Sequence, residues 1–285
     1  MELSKDILAL RPYLFGIAYN MLAVVEEAED IVQDVYVKWL SAREIDVPKA
    51  YLGRMVVNAS IDRLNGLKLQ RESYKGYWMP EPYLTLEPAD VPTIEYGLLT
   101  LLERLNPVER AVFILRESFS ESYANIAALT GLSEQNCRQL LHRAHEKLHR
   151  PVVKPADPSK RLALTEAFLY ALNSRDLETL GQLLRDDIAL FNDGGGKRAA
   201  ALKPLFGLPK VLKFLNGIMS LPENQDHDFE YRPAYVNGAP CALIFRKNSG
   251  ELDSMQYVEP EGEVIARLLY VRNPDKLVVR SGNLS

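Results

Sequence analysis

Residues 122–148 read SYANIAALTGLSEQNCRQLLHRAHEKL: a short helix, a glycine, and a longer helix that gathers basic residues after its first turn. Ile126 and Leu129 supply the apolar side of the first helix, Gly131 permits a left-handed turn, and Leu132 fills the corner. Ser133 is placed to cap the amides of the next helix, whose apolar positions are Cys137, Leu141, Ala144 and Leu148. This spacing predicts a helix-turn-helix. With the core face assigned, the outward face carries Gln135, Arg138, Gln139, His142, Arg143 and His145. These residue types reach base edges or phosphates in a major groove.

The charge balance qualifies that reading. Residues 1–150 hold 17 Lys and Arg against 21 Asp and Glu, and residues 151–285 hold 17 of each, so the half with the helix-turn-helix carries the net −4. Between Arg138 and Arg150, however, four basic residues meet one acid, Glu146, so positive charge is concentrated locally. An acidic chain with a small basic patch is expected to grip duplex DNA only when a larger partner supplies most phosphate contacts. At 285 residues and 47% hydrophobic composition the chain has core for two or three domains. No run of about 18 apolar residues occurs, and Lys5, Asp6 and Arg11 interrupt the N-terminal pattern. The expectation is a cytoplasmic protein with no membrane contact. Cys137 and Cys241 are far apart and unaccompanied, which offers neither a disulfide framework nor a paired-cysteine zinc site.

Periodicity divides the chain at 1–66, 67–93, 94–150, 151–159 and 160–285. The first segment is helical: one helix with Ile7, Leu8, Leu14, Ile17 and Ala18 inward, a second over 26–40, and a third from Pro48 to about Leu64. Residues 67–92 contain Pro80, Pro82, Pro88 and Pro92, which exclude a long helix and favour an extended linker. Residues 94–149 return to helices and end in the helix-turn-helix, and PVVKPADPSK forms a short second linker. The last segment opens with two helices and strand 188–191, then a helix over 210–219, then the alternating strands FEYRPAYV, CALIFRK, DSMQYVE, EVIARLLYVR and KLVVR.

The second helix, EEAEDIVQDVYVKWL, places Asp30, Gln33, Asp34 and Val37 in a polar stripe edged by apolar residues. Alone, such a stripe is usually a solvated face. Together with the third helix, AYLGRMVVNASIDRL, it resembles region 2 of bacterial sigma factors, and residues 94–149 resemble region 4. The direct succession is similar to the extracytoplasmic-function group, which lacks the intervening region 3. The resemblance implies that Asp30, Gln33, Asp34 and Val37 dock on the β′ clamp helices of core RNA polymerase. It further implies a region 4 contact with the β flap. Tyr51, Arg54, Asn58 and Arg63 would then meet the −10 element, with the loop SAREIDV before them holding a flipped base. Gln135, Arg138, Gln139, His142 and Arg143 would read or anchor the −35 element of promoter DNA.

The C-terminal pattern resembles the SnoaL-like branch of the NTF2-like fold, an α+β cone with a curved antiparallel sheet. The expected fold is therefore multidomain, two all-α sigma domains followed by that cone. Three short strings narrow the resemblance to sigma factors with a fused SnoaL-like domain: Tyr77-Trp78-Met79-Pro80-Glu81-Pro82, Asp193-Gly194-Gly195-Gly196-Lys197 and Asn273-Pro274-Asp275-Lys276-Leu277. In that group the extra domain regulates the sigma factor in cis, and the strings are the implied regulatory contacts. A triple glycine lets backbone approach closely and offers amides to an acid such as Glu81, with Lys197 or Lys276 supplying charge. Taken alone, DGGGK is equally a surface turn and NPDK an ordinary β-turn.

The resemblance leaves catalysis to the polymerase, and no catalytic residue, metal or cofactor is expected in this chain. Two other chemistries have candidate residues in the sequence. His142, His145 and His149 fall on neighbouring helical positions, but only Glu146 accompanies them, so hydrogen bonding is the simpler use than a metal site. His227 with Asp226 or Asp228 offers an acid/base pair, yet it follows LPENQD in a loop pattern. The competing function is a stand-alone helix-turn-helix regulator whose SnoaL-like domain senses a small-molecule ligand in an apolar pocket.

Overall fold

The computed structural model describes residues 4–42, 45–88, 93–148, 157–220 and 229–280. These fall into two compact units. The first combines the N-terminal segment through Ser73 with the segment that contains the helix-turn-helix, and the second joins residues 74–88 to the C-terminal segment.

The first unit is all helix. Its elements are α1 (Lys5–Leu8), α2 (Arg11–Leu22), α3 (Val25–Leu40), α4 (Pro48–Glu72), α5 (Tyr96–Leu101), α6 (Pro107–Glu117), α7 (Tyr123–Thr130) and α8 (Glu134–Leu148). A single first helix was expected, but the chain breaks at Ala9 and Leu10 and restarts with Pro12 in the first turn of α2. Proline is accommodated there because the amide it lacks would have no helical partner. Helix α4 runs past the expected Leu64 to Glu72, where the chain is free of proline and rich in helix-forming Leu, Lys, Gln, Arg and Glu.

Helix α2 is buried on every side from Leu14 to Leu22, because α3, α4 and α6 all pack on it. The polar residue in that run, Asn20, accepts the Ile94 amide at 2.9 Å through Oδ1, and its carbonyl accepts from Arg110 Nε at 3.0 Å. Arg110 also pairs with Glu103, and Glu103 pairs with Arg71 of α4. Arg71 in turn donates to the Leu22 carbonyl at 2.6 Å. Burial lowers the Arg71 pKa to about 10, against the pull of Glu103. The two helical segments are thus held together by apolar packing and by a buried network that fixes its register.

The second unit is α+β. It comprises β1 (Leu84–Thr85), α9 (Pro158–Asn173), α10 (Leu177–Leu183), β2 (Leu184–Asp193), β3 (Leu205–Phe206), α11 (Leu208–Met219), β4 (Phe229–Val236), β5 (Ala239–Arg246), β6 (Leu252–Glu261), β7 (Val264–Val271) and β8 (Val279–Arg280). The strands form one sheet in the order β3-β2-β7-β6-β5-β4-β1-β8. Phe168, Leu180, Val211 and Leu215 from the helices meet Leu190, Val258 and Leu268 from the sheet. Asn237 and Gly238, at φ +50° and +75°, make the two-residue turn between β4 and β5 that the right-handed strand twist favours.

An antiparallel sheet was expected, and the observed sheet is mixed. Strand β2 runs parallel to β7 and β1 parallel to β8, while the consecutive strands β4 to β7 are antiparallel. Hairpins enforce the antiparallel pairs, whereas β1 and β2 enter from distant sequence and are free of that constraint. Residues 84–85, expected in an extended linker, form an interior strand of this sheet.

Candidate nucleic-acid interface and linker clasp

Helix α3 buries Ile31, Val32, Val35, Tyr36 and Trp39 and leaves Asp30, Gln33, Asp34 and Val37 exposed along one stripe. Val37 is 60% exposed, high for an apolar residue beside acids. Gln33 and Val37 border a shallow groove with Arg11, Glu29, Tyr36 and Leu40. The stripe is therefore a mixed acidic and apolar exposed surface.

On α4, Tyr51, Arg54, Asn58 and Arg63 are all exposed. Tyr51 leans on Trp39 with ring centroids 6.2 Å apart. Arg63 is held by Glu27 of α3, with Nη2 donating at 2.7 Å, so this cation must exchange partners to meet a phosphate. Of the loop SAREIDV, Arg43 and Glu44 lie outside the described residues.

The helix-turn-helix forms as its residues dictate. Ser122 caps α7 by accepting the Asn125 amide at 3.1 Å, Gly131 turns at φ +76°, and Ser133 accepts the Asn136 amide at 3.2 Å. Cys137, Leu140, Leu141, Ala144 and Leu148 are buried on α8, which adds Leu140 to the core face. Gln135, Arg138, Gln139, His142 and Arg143 project outward. Arg138 is steadied by Glu134 at 3.0 Å and by the Tyr123 ring, 4.2 Å from its guanidinium carbon. His145 corrects the sequence reading: it is half-buried, 3.3 Å from Glu117, with its ring 5.5 Å from that of Phe113. One helical turn beyond Leu141, it faces α6 instead of open solvent. His149 lies outside the described residues, as do Asp226, His227 and Asp228.

Within this unit α4 rests directly on the helix-turn-helix. A Cβ at Gly53 would stand 3.0 Å from Leu129 of α7, and one at Gly131 would stand 3.7 Å from Arg54 Nη2. Tyr13 of α2 donates to Glu121, just before α7, at 3.2 Å, and burial first, then Glu121, raises that phenol's pKa so that it keeps its proton.

In the second unit, Asp193 is a fully buried carboxylate that receives four donors. Oδ1 accepts from Tyr74 Oη at 2.6 Å and the Gly195 amide at 3.0 Å, and Oδ2 accepts from the Met79 amide at 3.0 Å and Lys276 Nζ at 2.7 Å. Lys276 also donates to the Met79 carbonyl at 2.6 Å, and its ammonium lies 4.6 Å from the Trp78 ring centre and 4.8 Å from that of Tyr74. Asn273 donates to Tyr74 Oη at 2.8 Å. Residues 74–79 are thereby clasped by the ends of β2 and β7.

Each string has a part in the clasp. A Cβ at Gly195 would fall 2.4 Å from the Asn273 amide, and one at Gly194 would fall 2.3 Å from the Arg198 carbonyl. Only glycine fits either position. The amide of the triple glycine turns to Asp193, not to Glu81 as expected. Glu81 is buried and paired with Arg280 at 2.5 Å. Lys276 supplies the inner charge, and Lys197 pairs with Asp275 at 2.6 Å at the surface. Pro80 and Pro82 are buried, consistent with an extended path that donates no amide. Below them Asn237 grips the Tyr83 backbone from both sides, at 3.1 and 3.0 Å, and leads it into β1. Tyr74, Asn237 and Arg280 escaped the sequence reading, since each is an isolated polar residue with no local pattern.

The helical segments and the chain as a whole are similar to known proteins. Residues 7–69 match the model of Sigma-70 region 2 and residues 97–148 that of Sigma-70, region 4. The chain is 32% identical over 263 residues to the ECF RNA polymerase sigma factor SigJ of Mycobacterium tuberculosis, spanning 88% of this chain and 80% of that protein. It is 32% identical over 249 residues to the probable ECF RNA polymerase sigma factor SigI of the same organism, spanning 75% and 86%. The crystal structure of the M. tuberculosis SigJ superposes with a TM-score of 0.78 at 27% identity, covering 95% of this chain and 96% of that one. A helical, DNA-reading unit followed by a SnoaL-like α+β unit is the design of a transcription initiation factor. The chain belongs to the extracytoplasmic-function family of RNA polymerase sigma factors, whose partners are core RNA polymerase and promoter DNA. Among the described residues no helix is long and apolar enough to cross a membrane.

Proposed function

We propose that the chain directs core polymerase to promoters with −10 and −35 elements and that its own C-terminal unit restrains it. The acidic stripe of Asp30, Gln33, Asp34 and Val37 meets the β′ clamp helices, and region 4 meets the β flap. Tyr51, Arg54, Asn58 and Arg63 serve the −10 element, and Gln135, Arg138, Gln139, His142 and Arg143 the −35 element. The polymerase performs the chemistry, so the chain itself is not an enzyme, and its place is the bacterial cytoplasm where both partners are found.

One observation carries the restraint: α4 lies against α7. Two elements about 25 base pairs apart are separated by roughly 85 Å along duplex DNA, at 3.4 Å per pair. A compact unit of about 130 residues is only roughly 40 Å across. Regions 2 and 4 must therefore part before both elements can be read. The segment that has to lengthen is the linker, and residues 74–85 of it are bound as strap and strand by the C-terminal unit. Holding the strap keeps the readers together, and releasing it lets them separate. Transcription from a cognate promoter with core polymerase tests this: Asp193→Ala should raise output at least threefold, and unchanged or lowered output at equal folded protein would remove restraint by the clasp.

A further inference from the structure

A cavity of about 870 Å³ opens inside the second unit, between α11 with the end of α9 and the strands β2, β7, β6 and β5. Its size falls within the roughly 300–1,000 Å³ of ordinary ligand pockets. Phe214, Leu215, Ile218 and Met219 of α11 provide an apolar wall. On the sheet, Asn192, Tyr270 and Gln256 stand in one row across β2, β7 and β6, because Tyr270 is the register partner of both amides. Directly opposed residues on neighbouring strands project from the same face, and all three line the cavity.

The row is polar and incomplete. Gln256 is fully buried, and neither atom of its side-chain amide has a hydrogen-bond partner among the described residues. Asn192 is 3% exposed and its amide oxygen is likewise unpaired. Buried amides are almost always satisfied, and leaving them unpaired is costly. Burial, and secondarily Tyr231, raises the Tyr270 pKa, so this phenol stays protonated between the two amides. An occupant that both donates and accepts completes the row.

Charge gives the other end of the occupant. Among the described lining residues Asp253 is the one acid, and it is already held by Arg246 at 2.7 Å and Arg272 at 3.1 Å. Lys197 and Arg198 are taken by Asp275 and Glu251. Lys210 and Lys213 of α11 are exposed and have no ion-pair partner among the described residues, which leaves a cationic rim beside the apolar wall.

We propose that this cavity binds an amphipathic organic acid: an apolar body along α11, a hydroxyl or amide against Gln256 and Asn192, and a carboxylate at Lys210 and Lys213. The site adjoins the clasp, since Asn192 precedes Asp193, Arg272 precedes Asn273, and Lys197 reaches Asp275. An acid in the cavity thus touches the two segments that hold the strap.

The test uses the full chain with anilinonaphthalene sulfonate, an apolar anion with a hydrogen-bonding N–H, followed by its fluorescence. The expectation is one saturable site per chain, displaced by ω-hydroxydodecanoate at least tenfold more effectively than by the matching dodecanediol, which lacks the carboxylate. Gln256→Leu and Lys213→Glu should each weaken displacement by the acid about tenfold, in protein whose thermal unfolding shows it folded. Lys213 is exposed, so that variant keeps the test informative should Gln256→Leu fail to fold. Water alone in the cavity gives no saturable site and overturns the proposal. Equal displacement by acid and diol, or unchanged displacement in Lys213→Glu, also overturns it. Polymerase takes no part in the measurement, so the outcome is independent of the promoter-reading roles.

Discussion

Lys276 Nζ lies 2.7 Å from Asp193 Oδ2, and this buried pair holds the backbone of Met79 on both sides of its Cα, the carboxylate on its N–H and the ammonium on its carbonyl. A residue gripped in this way is fixed in position and direction, which is what a strap requires.

Removing one member of such a pair leaves the other charged and buried, typically at a cost of about 3–5 kcal/mol. Asp193→Ala should therefore destabilise the second unit by roughly 3 kcal/mol in urea unfolding and expose the strap. Asp193→Asn, which keeps an acceptor, should cost less. Limited proteolysis between Tyr74 and Leu84 reads the strap directly, and a strap equally protected in Asp193→Ala and the parent would disprove the clasp.

Gly195→Ala should mimic Asp193→Ala. Its φ of +61° is strained for alanine, and the new Cβ would collide with Asn273 at 2.4 Å. The expected loss is about 2 kcal/mol or more, checked by urea unfolding, whereas Gly217→Ala in α11, whose Cβ meets nothing within 4 Å, should leave stability unchanged or raise it by up to about 1 kcal/mol.

Charge reversal on the α3 stripe should separate docking from folding. Asp30 and Asp34 are exposed, so Asp30→Lys with Asp34→Lys should alter stability by less than about 1 kcal/mol. Co-elution with core RNA polymerase should fall at least tenfold. Retained co-elution would move the polymerase contact elsewhere.

On α8, Arg138→Ala and Arg143→Ala should each weaken −35 recognition by about 1–3 kcal/mol if they touch base edges. A uniform loss across promoter sequences with a shallower salt slope would mark them as phosphate contacts instead. Footprints on matched and mutated −35 elements distinguish the two.

Asp253 carries a pH signature. Burial alone would raise its pKa, but Arg272 and Arg246 outweigh burial and hold the carboxyl below its ordinary range. A depressed native pKa stabilises the fold above the unfolded-state value of about 4 and ceases to do so as pH falls through the native value. The stability gap between the parent and Asp253→Asn should thus be widest near neutral pH and narrow below pH 4 or so, followed by urea unfolding across that range.

Much of this was legible from residues alone. The helix-turn-helix announced itself through Ser122, Gly131 and Ser133, each of which has one conformational task, and the α3 stripe through simple 3.6-residue spacing. The hairpins β4 to β7 were plain because their alternation is local. What stayed hidden was non-local: the parallel pairing of β2 with β7, the entry of residues 84–85 into the sheet, and the partners of Glu81 and Asp193. Arg280 is 199 residues from Glu81, and no spacing rule connects positions so distant. His145 was misplaced because its ring faces α6, a contact that the pattern of α8 by itself does not reveal.

Restraint by compaction stands or falls on the separation of α4 from α8. Cysteines at the exposed Asn65 and Glu146 can carry a donor and an acceptor dye, since Cys137 and Cys241 are buried and burial raises both thiol pKa values. Energy transfer is then measured in the free chain and in the complex with core polymerase and promoter DNA. Restraint by compaction predicts efficient transfer in the free chain, across a unit of roughly 40 Å, and nearly complete loss of transfer in a transcribing complex. Undiminished transfer in a complex that initiates transcription would contradict it.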